Sequence, residues 1–305
     1  MSEPWSADGS TWELELDWPE AGEVFLLLDG VRVKELARCL YEWSEGDLDA
    51  DLLYAGTPWA EVAEVSPWLV RLQGPGDPVL ERFLRQGAEA EWGYLILGSC
   101  DLLDVADHLR DLIQVRHPAG LPMLLRLADP AVISSLFTDG SSPEQVPWGP
   151  IERLIMPDAV QEAWHRHAPL EKEATGRPRS AVDYRLSESQ LARLEECDRR
   201  RDIRQLMTFV DRHCDGWLMA ADRPQRHAQL AVIVQEACEL GLTTPREWAL
   251  LCTLMQRLGI TSWQQGEGLD AWTDLLGDPG QGKGMARLEA ALAAAPTSSR
   301  TDVTT

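Results

Sequence analysis

The stretch that most limits the fold lies at residues 92–137. It opens on an apolar run, Trp92 to Leu97, closed by Gly98 and Ser99. A short apolar run bounded by turn formers is the signature of a buried strand. From Asp101 the apolar residues fall at Leu102, Val105, Ala106, Leu109, Leu112 and Ile113, while Asp101, Asp104, Asp107, His108 and Asp111 take the opposite side. That three-four spacing predicts a helix with one buried and one solvated face, capped by Asp101. Residues 114–116 and 123–127 read as two short strands joined by His117-Pro118-Ala119-Gly120, whose Pro and Gly suit a hairpin turn. Asp129-Pro130 starts another helix, with Asp as cap and Pro in the first turn.

The same pattern extends toward the N-terminus. Residues 23–28 predict a first strand ended by Asp29-Gly30, residues 31–43 a helix, 52–54 and 63–72 further strands, the latter broken by Pro67, and Asp77-Pro78 a helix to residue 86. Strands alternating with helices imply an α+β or α/β lobe at 22–145, a sheet flanked by helices. The hairpin makes a purely parallel sheet untenable, so a mixed sheet is expected. Residues 1–21 read as an arm carrying Trp5, Trp12 and Trp18. Residues 146–185 read as a connector, with small elements at 151–155 and 159–167 and a basic patch of Lys172, Arg177, Arg179 and Arg185. Beyond Leu186 the signals are helical only. Ser187 and Gln190 form a capping box before a helix at 191–214, and further helices are expected at 225–240, 245–258, 268–276 and 284–294. The expected architecture is a mixed-sheet lobe at 22–145, an all-helical lobe at 186–295 and a disordered tail at 296–305.

The formal net charge of -22 is unevenly spread. Residues 1–150 hold 27 acidic against 9 basic side chains, net -18, and residues 151–305 hold 23 against 19, net -4. So acidic a first half repels nucleic acid and anionic membranes, and favours solubility or a basic protein partner. The opening residues are acidic where a signal peptide is basic and then apolar, and no run is long enough to span a bilayer, so a cytoplasmic location is expected. Six cysteines, at 39, 100, 197, 214, 238 and 252, lack any C-x-x-C spacing and read as reduced packing residues; no disulfide and no metal site is expected.

Several motifs together carry a resemblance. A Trp92-Gly93 strand, His108-Leu109-Arg110 on the following helix, and Arg126 three residues before Asp129-Pro130 are accompanied by Leu28-Asp29-Gly30 and by Ser66-Pro67-Trp68-Leu69-Val70. This set resembles the effector-adaptor (Tap or Tec chaperone) family of bacterial type VI secretion. The resemblance covers about residues 22–138 at motif level; Leu127-Ala128 stands where family members often carry an aromatic pair. It implies a non-catalytic chaperone that holds a type VI effector and delivers it to the valine-glycine-repeat spike protein, VgrG, with no cofactor.

The candidate residues divide by role. Asp29, Arg126 and Asp129 are expected to form a structural network that fixes the hairpin against the next helix. Asp104, Asp107, His108 and Asp111, with Arg110 and Trp68, are expected to contact a protein partner. Trp217, Trp248, Trp263 and Trp272 in the second lobe serve either a core or a client groove. The loop 277–284 approaches G-x-x-x-x-G-K-[ST], but a helix precedes it and Gly284 replaces the hydroxyl residue, so a plain interhelical loop is expected. Ser99 sits at a strand-to-helix turn without the G-x-S-x-G pattern of a nucleophile elbow. His165 and His167 fall in a stretch that looks helical, where their spacing puts them on different faces. Two rival functions remain at this level: an acidic inhibitor or immunity protein for a basic toxin, and a hydrolase using Ser99 or His108.

Overall fold

The computed structural model describes residues 12, 14, 16–137, 146–169, 183–218, 222–264, 266, 268–278, 280 and 282–296. Trp5, most of the basic patch and the C-terminal tail lie outside the described residues. Packing divides the chain into two units, Met1–Cys197 and Asp198–Thr305.

The first unit is built on β1 (Glu23–Leu28), α1 (Leu36–Trp43), β2 (Ala50–Leu52), β3 (Trp68–Arg71), α2 (Pro78–Arg82), α3 (Ala88–Ala90), β4 (Gly93–Gly98), α4 (Leu102–Ile113), β5 (Gln114–Arg116), β6 (Pro122–Leu124), α5 (Pro130–Leu136), β7 (Ile151–Asp158) and β8 (Ala163–His167). Six strands form one sheet in the order β2-β3-β1-β4-β7-β8, and β5 with β6 forms a separate hairpin. Every neighbouring pair in the large sheet is antiparallel. The α+β expectation therefore holds, whereas the expected mixed sheet is wholly antiparallel: no helical crossover returns the chain parallel to a neighbouring strand.

The central strands are apolar throughout because both faces of the sheet are covered. In β1, Phe25 and Leu27 join Tyr94, Ile96 and the buried side of α4 and α5 in one core. Val24, Leu26 and Leu28 point the other way, into a core with Leu36, Leu40, Leu80 and Phe83 from α1 and the 78–90 helical segment. Trp12 of the N-terminal arm is buried against Ala88, Ala159 and Trp164, its ring 5.1 Å from that of Trp164.

Several stretches differ from expectation. Residues 63–65, read as strand, lie in a 3-10 helical turn at Ala60–Val65, and the strand begins only at Trp68. Residues 151–158, read as part of a connector, form a strand that pairs with β4 through Leu95↔Ile155, Ile96↔Leu154 and Leu97↔Arg153. Residues 163–167, read as helical, form β8 on the outside of β7. β7 is held by pairing with β4, more than fifty residues earlier, which overrides weak local preference, and β8 returns from β7 as the second arm of a hairpin, Asp158↔Ala163 to Leu154↔His167.

α6 (Glu188–His213) runs across the boundary between the units. Its expected capping box is present: Gln190 N–H donates to Ser187 Oγ at 3.1 Å, and Ser187 N–H donates to Gln190 Oε1 at 3.0 Å. The second unit adds α7 (Arg223–Glu239), α8 (Pro245–Leu258), α9 (Asp270–Gly277) and α10 (Gly284–Ala294). α8 opens with a Thr244–Glu247 capping box and Pro at its first turn, and ends on Gly259 at φ +70°. Three tryptophans of the second unit are core residues with satisfied indoles: Trp217 Nε1 donates to Ile260 O, Trp248 Nε1 to Leu242 O and Trp263 Nε1 to Thr273 Oγ1, at 2.8, 2.9 and 3.0 Å. Trp272 packs, partly buried, against the same core.

Candidate functional site

The motifs that are scattered in sequence meet at one end of the large sheet. Leu28, the last residue of β1, pairs with Trp68 on one side and with Gly93 on the other. Asp29 N–H then donates to Trp92 O at 2.7 Å. A Cβ on Gly30 would stand 2.3 Å from Ser66 O, and one on Gly93 would stand 1.8 Å from Leu27 O. Glycine at both positions is therefore what lets the three motif-bearing strands close on one another.

Four charged side chains from two distant stretches of the chain, 29–32 and 126–129, lock this end. The Asp29 carboxylate accepts from Val31 N–H at 2.7 Å through Oδ1, and from Arg126 Nη2 at 3.2 Å through Oδ2; Arg32 Nε lies 3.7 Å from the same Oδ2. Arg32 Nη2 reaches Asp129 Oδ2 at 3.1 Å, while Asp129 Oδ1 caps α5 by accepting from Ala131 N–H at 3.1 Å. Charges alternate along the series Arg126, Asp29, Arg32, Asp129. Both carboxylates are buried, so each needs its arginine and backbone donors to offset lost hydration. Arg32 is absent from the sequence-level candidates. Its one local signal was the i,i+3 spacing to Asp29, which does not announce Asp129 ninety-seven residues away.

α4 presents a different surface. Asp104 and Asp107 are exposed, as is Leu103, and Asp111 is half-buried with its carboxyl pushed up by burial and then by Asp107. Arg110 is folded back onto the sheet rather than outward. Its Nη2 lies 2.8 Å from both Asp51 oxygens and 3.2 Å from Leu52 O, its Nε donates to Leu53 O at 3.3 Å, and Nη1 pairs with Asp107 at 2.7 Å. It thereby engages carbonyls of the edge strand β2, a position that otherwise invites pairing with another chain. Trp68 is half-buried and packs against the α1 side of the sheet.

His108 does not share the solvated face with Asp104, which corrects the sequence reading. Residues 147–149 close over its ring: it is hydrogen-bonded to the Pro147 backbone, and a Cβ on Gly149, at φ +55°, would stand 2.4 Å from Nδ1. Burial lowers its pKa from the ordinary 6.5 despite that hydrogen bond. Protonation thus favours the unfolded chain, and stability present above pH 6.5 is lost as pH falls toward the lowered folded value. Urea unfolding at several pH values checks this: the stability difference between the wild type and His108→Gln should shift in favour of the variant below pH 6.5, by about 1.4 kcal/mol for each unit of pKa difference between the states.

The remaining constellations carry little chemistry. Ser99 Oγ donates to the Glu152 carboxylate on β7. His165 and His167 sit on a strand, and they engage different partners: Asp158 Oδ2 at 3.4 Å and Ser134 Oγ at 3.0 Å. The loop before α10 packs Gly284 against Glu247, where a Cβ would meet Oε1 at 2.2 Å. Among the described residues no group of His, Cys, Asp and Glu is arranged to hold a metal ion, and no helix is long and apolar enough to cross a membrane.

Comparison with known proteins bears on the same region. Residues 24–147 match a family described as a domain of unknown function, DUF4123. Accessory protein VasW of Vibrio cholerae serotype O1 is 28% identical over 265 residues, covering 84% of this chain and 81% of that protein. No solved structure matches. The matched residues contain the Asp29, Trp68, Gly93, Arg126 and Asp129 motifs that meet at the sheet end, and it is over this region that the chain is similar to the DUF4123 family.

Proposed function

We propose that this chain is a cytoplasmic, non-catalytic adaptor that binds a type VI effector and loads it onto the VgrG spike protein. The observation that carries the reading is that the family motifs are spent on one another. Asp29, Arg126 and Asp129 are engaged in ion pairs and backbone hydrogen bonds that hold strands and helices together. An arrangement of this kind builds a rigid shape for gripping another protein. The name of the Vibrio relative, an accessory protein, agrees with a role beside the secretion machinery.

The partner face is assigned to the solvated side of α4, with Asp104, Asp107 and Asp111 around the 62% exposed Leu103. An apolar side chain ringed by carboxylates suits a basic client surface, where the charges set orientation and association rate more than final affinity. Arg110 and His108 support this face from beneath, and Trp68 from the far side of the sheet. The test is Asp104→Lys with Asp107→Lys, leaving Asp111 in place because it is half-buried. Pull-down of the products of the adjacent genes should fall at least about tenfold, with the salt dependence of binding reduced. The melting temperature should stay within a few degrees, since Arg110 keeps Asp51. Capture at the wild-type level would remove this face from the reading.

A further inference from the structure

The β5–β6 hairpin has one closed edge and one open edge. Leu125 N–H donates to Ile113 O and His117 N–H donates to Leu121 O, both at 2.8 Å, with an unbroken register between them. Hydrogen-bonded pairs alternate along an antiparallel ladder, so Val115 and Met123 face each other as the bonded pair in the middle. Gln114, Arg116, Pro122 and Leu124 therefore turn their backbone groups outward. On the β5 side Arg116 is taken: its N–H donates to Tyr184 O at 2.7 Å, and its carbonyl accepts from Leu186 N–H at 2.8 Å. On the β6 side Leu124 N–H, Leu124 O and Pro122 O meet no partner among the described residues. The edge strand β2 differs, because Arg110 already engages Leu52 O and Leu53 O.

The side chains divide in the same way. Val115 is buried and Met123 packs against the core, so the paired residues Arg116 with Pro122 and Gln114 with Leu124 stand on the other, solvated face. Leu124 is 42% exposed, and Leu121 at the turn is 67% exposed. Charge here is opposite to the surroundings: residues 112–128 contain no Asp or Glu, within a first half of net -18. Two guanidinium groups converge on the turn. Arg116 Nη1 donates to Gly120 O at 3.4 Å, and Arg185 Nη2 lies 3.8 Å from the place a Gly120 Cβ would take. Arg116 is neutralised by Asp183 at 2.9 Å, whereas the exposed Arg185 makes no ion pair among the described residues.

We propose that the open edge of β6 is a docking site for an extended, acid-bearing segment of a partner polypeptide, which adds antiparallel to β6 as a further strand. The segment's residue opposite Leu124 exchanges two backbone hydrogen bonds with Leu124, and the residue two further on donates its N–H to Pro122 O. Alternation along a strand puts both side chains on the solvated face, next to Leu124. The residue two beyond these reaches the turn on the same face, where a carboxylate meets the unpaired Arg185. A second copy of this chain is the poorer occupant, because a net charge of -22 opposes self-association. The site goes beyond the adaptor reading, which places its partner on α4.

The probe is acetyl-Thr-Val-Thr-Val-Thr-Asp-amide, titrated into the full-length, 15N-labelled chain while the Leu124 and Gly120 amide resonances are followed. The Leu124 amide should move downfield saturably, and its hydrogen exchange should slow. Methylating both valine nitrogens of the peptide removes the donors to Leu124 O and Pro122 O and should abolish saturation. Replacing the peptide's Asp by Lys should weaken binding at least about threefold, and Arg185→Gln should erase that difference. Leu124→Pro deletes the outward donor without touching a bond inside the hairpin; read at Gly120, binding should weaken about fivefold, with the melting temperature within a few degrees of the wild type. Leu124→Ala keeps the donor and should weaken binding less. The methylated peptide interrogates the same bonds in the wild-type chain, so the result does not depend on how any variant folds. No saturable shift with the unmodified peptide, equal binding of the methylated one, equal binding of the Asp and Lys peptides, or a Leu124 shift that follows protein concentration alone would overturn the assignment. The titration needs neither spike nor effector, so its failure and the failure of the adaptor reading are separate results.

Discussion

Gly93→Ala is expected to destabilise the first unit by at least about 3 kcal/mol, the upper range for forcing atoms into a packed interior. The added Cβ would stand 1.8 Å from Leu27 O and 2.8 Å from Leu27 C, so the obstacle is the backbone of the neighbouring strand and not a movable side chain. Relief requires β1 and β4 to separate where Leu28 pairs with Gly93, and that same end holds the Asp29 to Trp92 hydrogen bond. The second unit has its own core, so denaturation followed by tryptophan fluorescence should resolve a weakened first transition and a preserved second one. Gly76→Ala is the control, because nothing lies within 4 Å of the position its Cβ would take. Its effect should stay within about 1 kcal/mol.

Asp129→Ala should cost about 3 kcal/mol, from two causes that separate experimentally. One is the loss of the α5 cap, worth about 1 kcal/mol. The other is an Arg32 guanidinium left half its carboxylate partners in a site where its side chain is 19% exposed. Asp129→Asn keeps an oxygen for Ala131 N–H and loses only the charge, so it isolates the second cause. Arg32→Met combined with Asp129→Asn should recover part of the loss, since removing both members of a buried pair is milder than orphaning one. Urea midpoints of the four proteins check the cycle. Strict additivity would mean that the two residues do not act together.

Legibility in the sequence followed the range over which each signal acts. The bounds of α8 agree with the pattern at 245–258 because its Thr244 cap, Pro245 at the first turn and terminal Gly259 act within a few residues. The α1 start did not: residues 31–33 look helical by spacing, but Asp29 captures the turn, with Arg32 and Val33 N–H both donating to its carbonyl, and the helix begins at Leu36. β7 and β8 were hidden for the opposite reason. Pro150 and Pro157 break the local pattern, and residues 151–158 are a strand because they pair with β4, more than fifty residues earlier, and with β8 beyond them. The site shows the same division. Asp29, Arg126 and Asp129 were each legible as motif residues, whereas Arg32, which links the two carboxylates, carries no motif and is assigned by three-dimensional contact alone.

The reading of this chain as a gripping surface is tested most directly by purifying the tagged protein from cells that express its adjacent genes and weighing the complexes by size-exclusion chromatography with light scattering. The expected result is one assembly containing this chain, an effector and the VgrG spike. Recovery of a toxin alone with its activity blocked, or of neither protein, would contradict it.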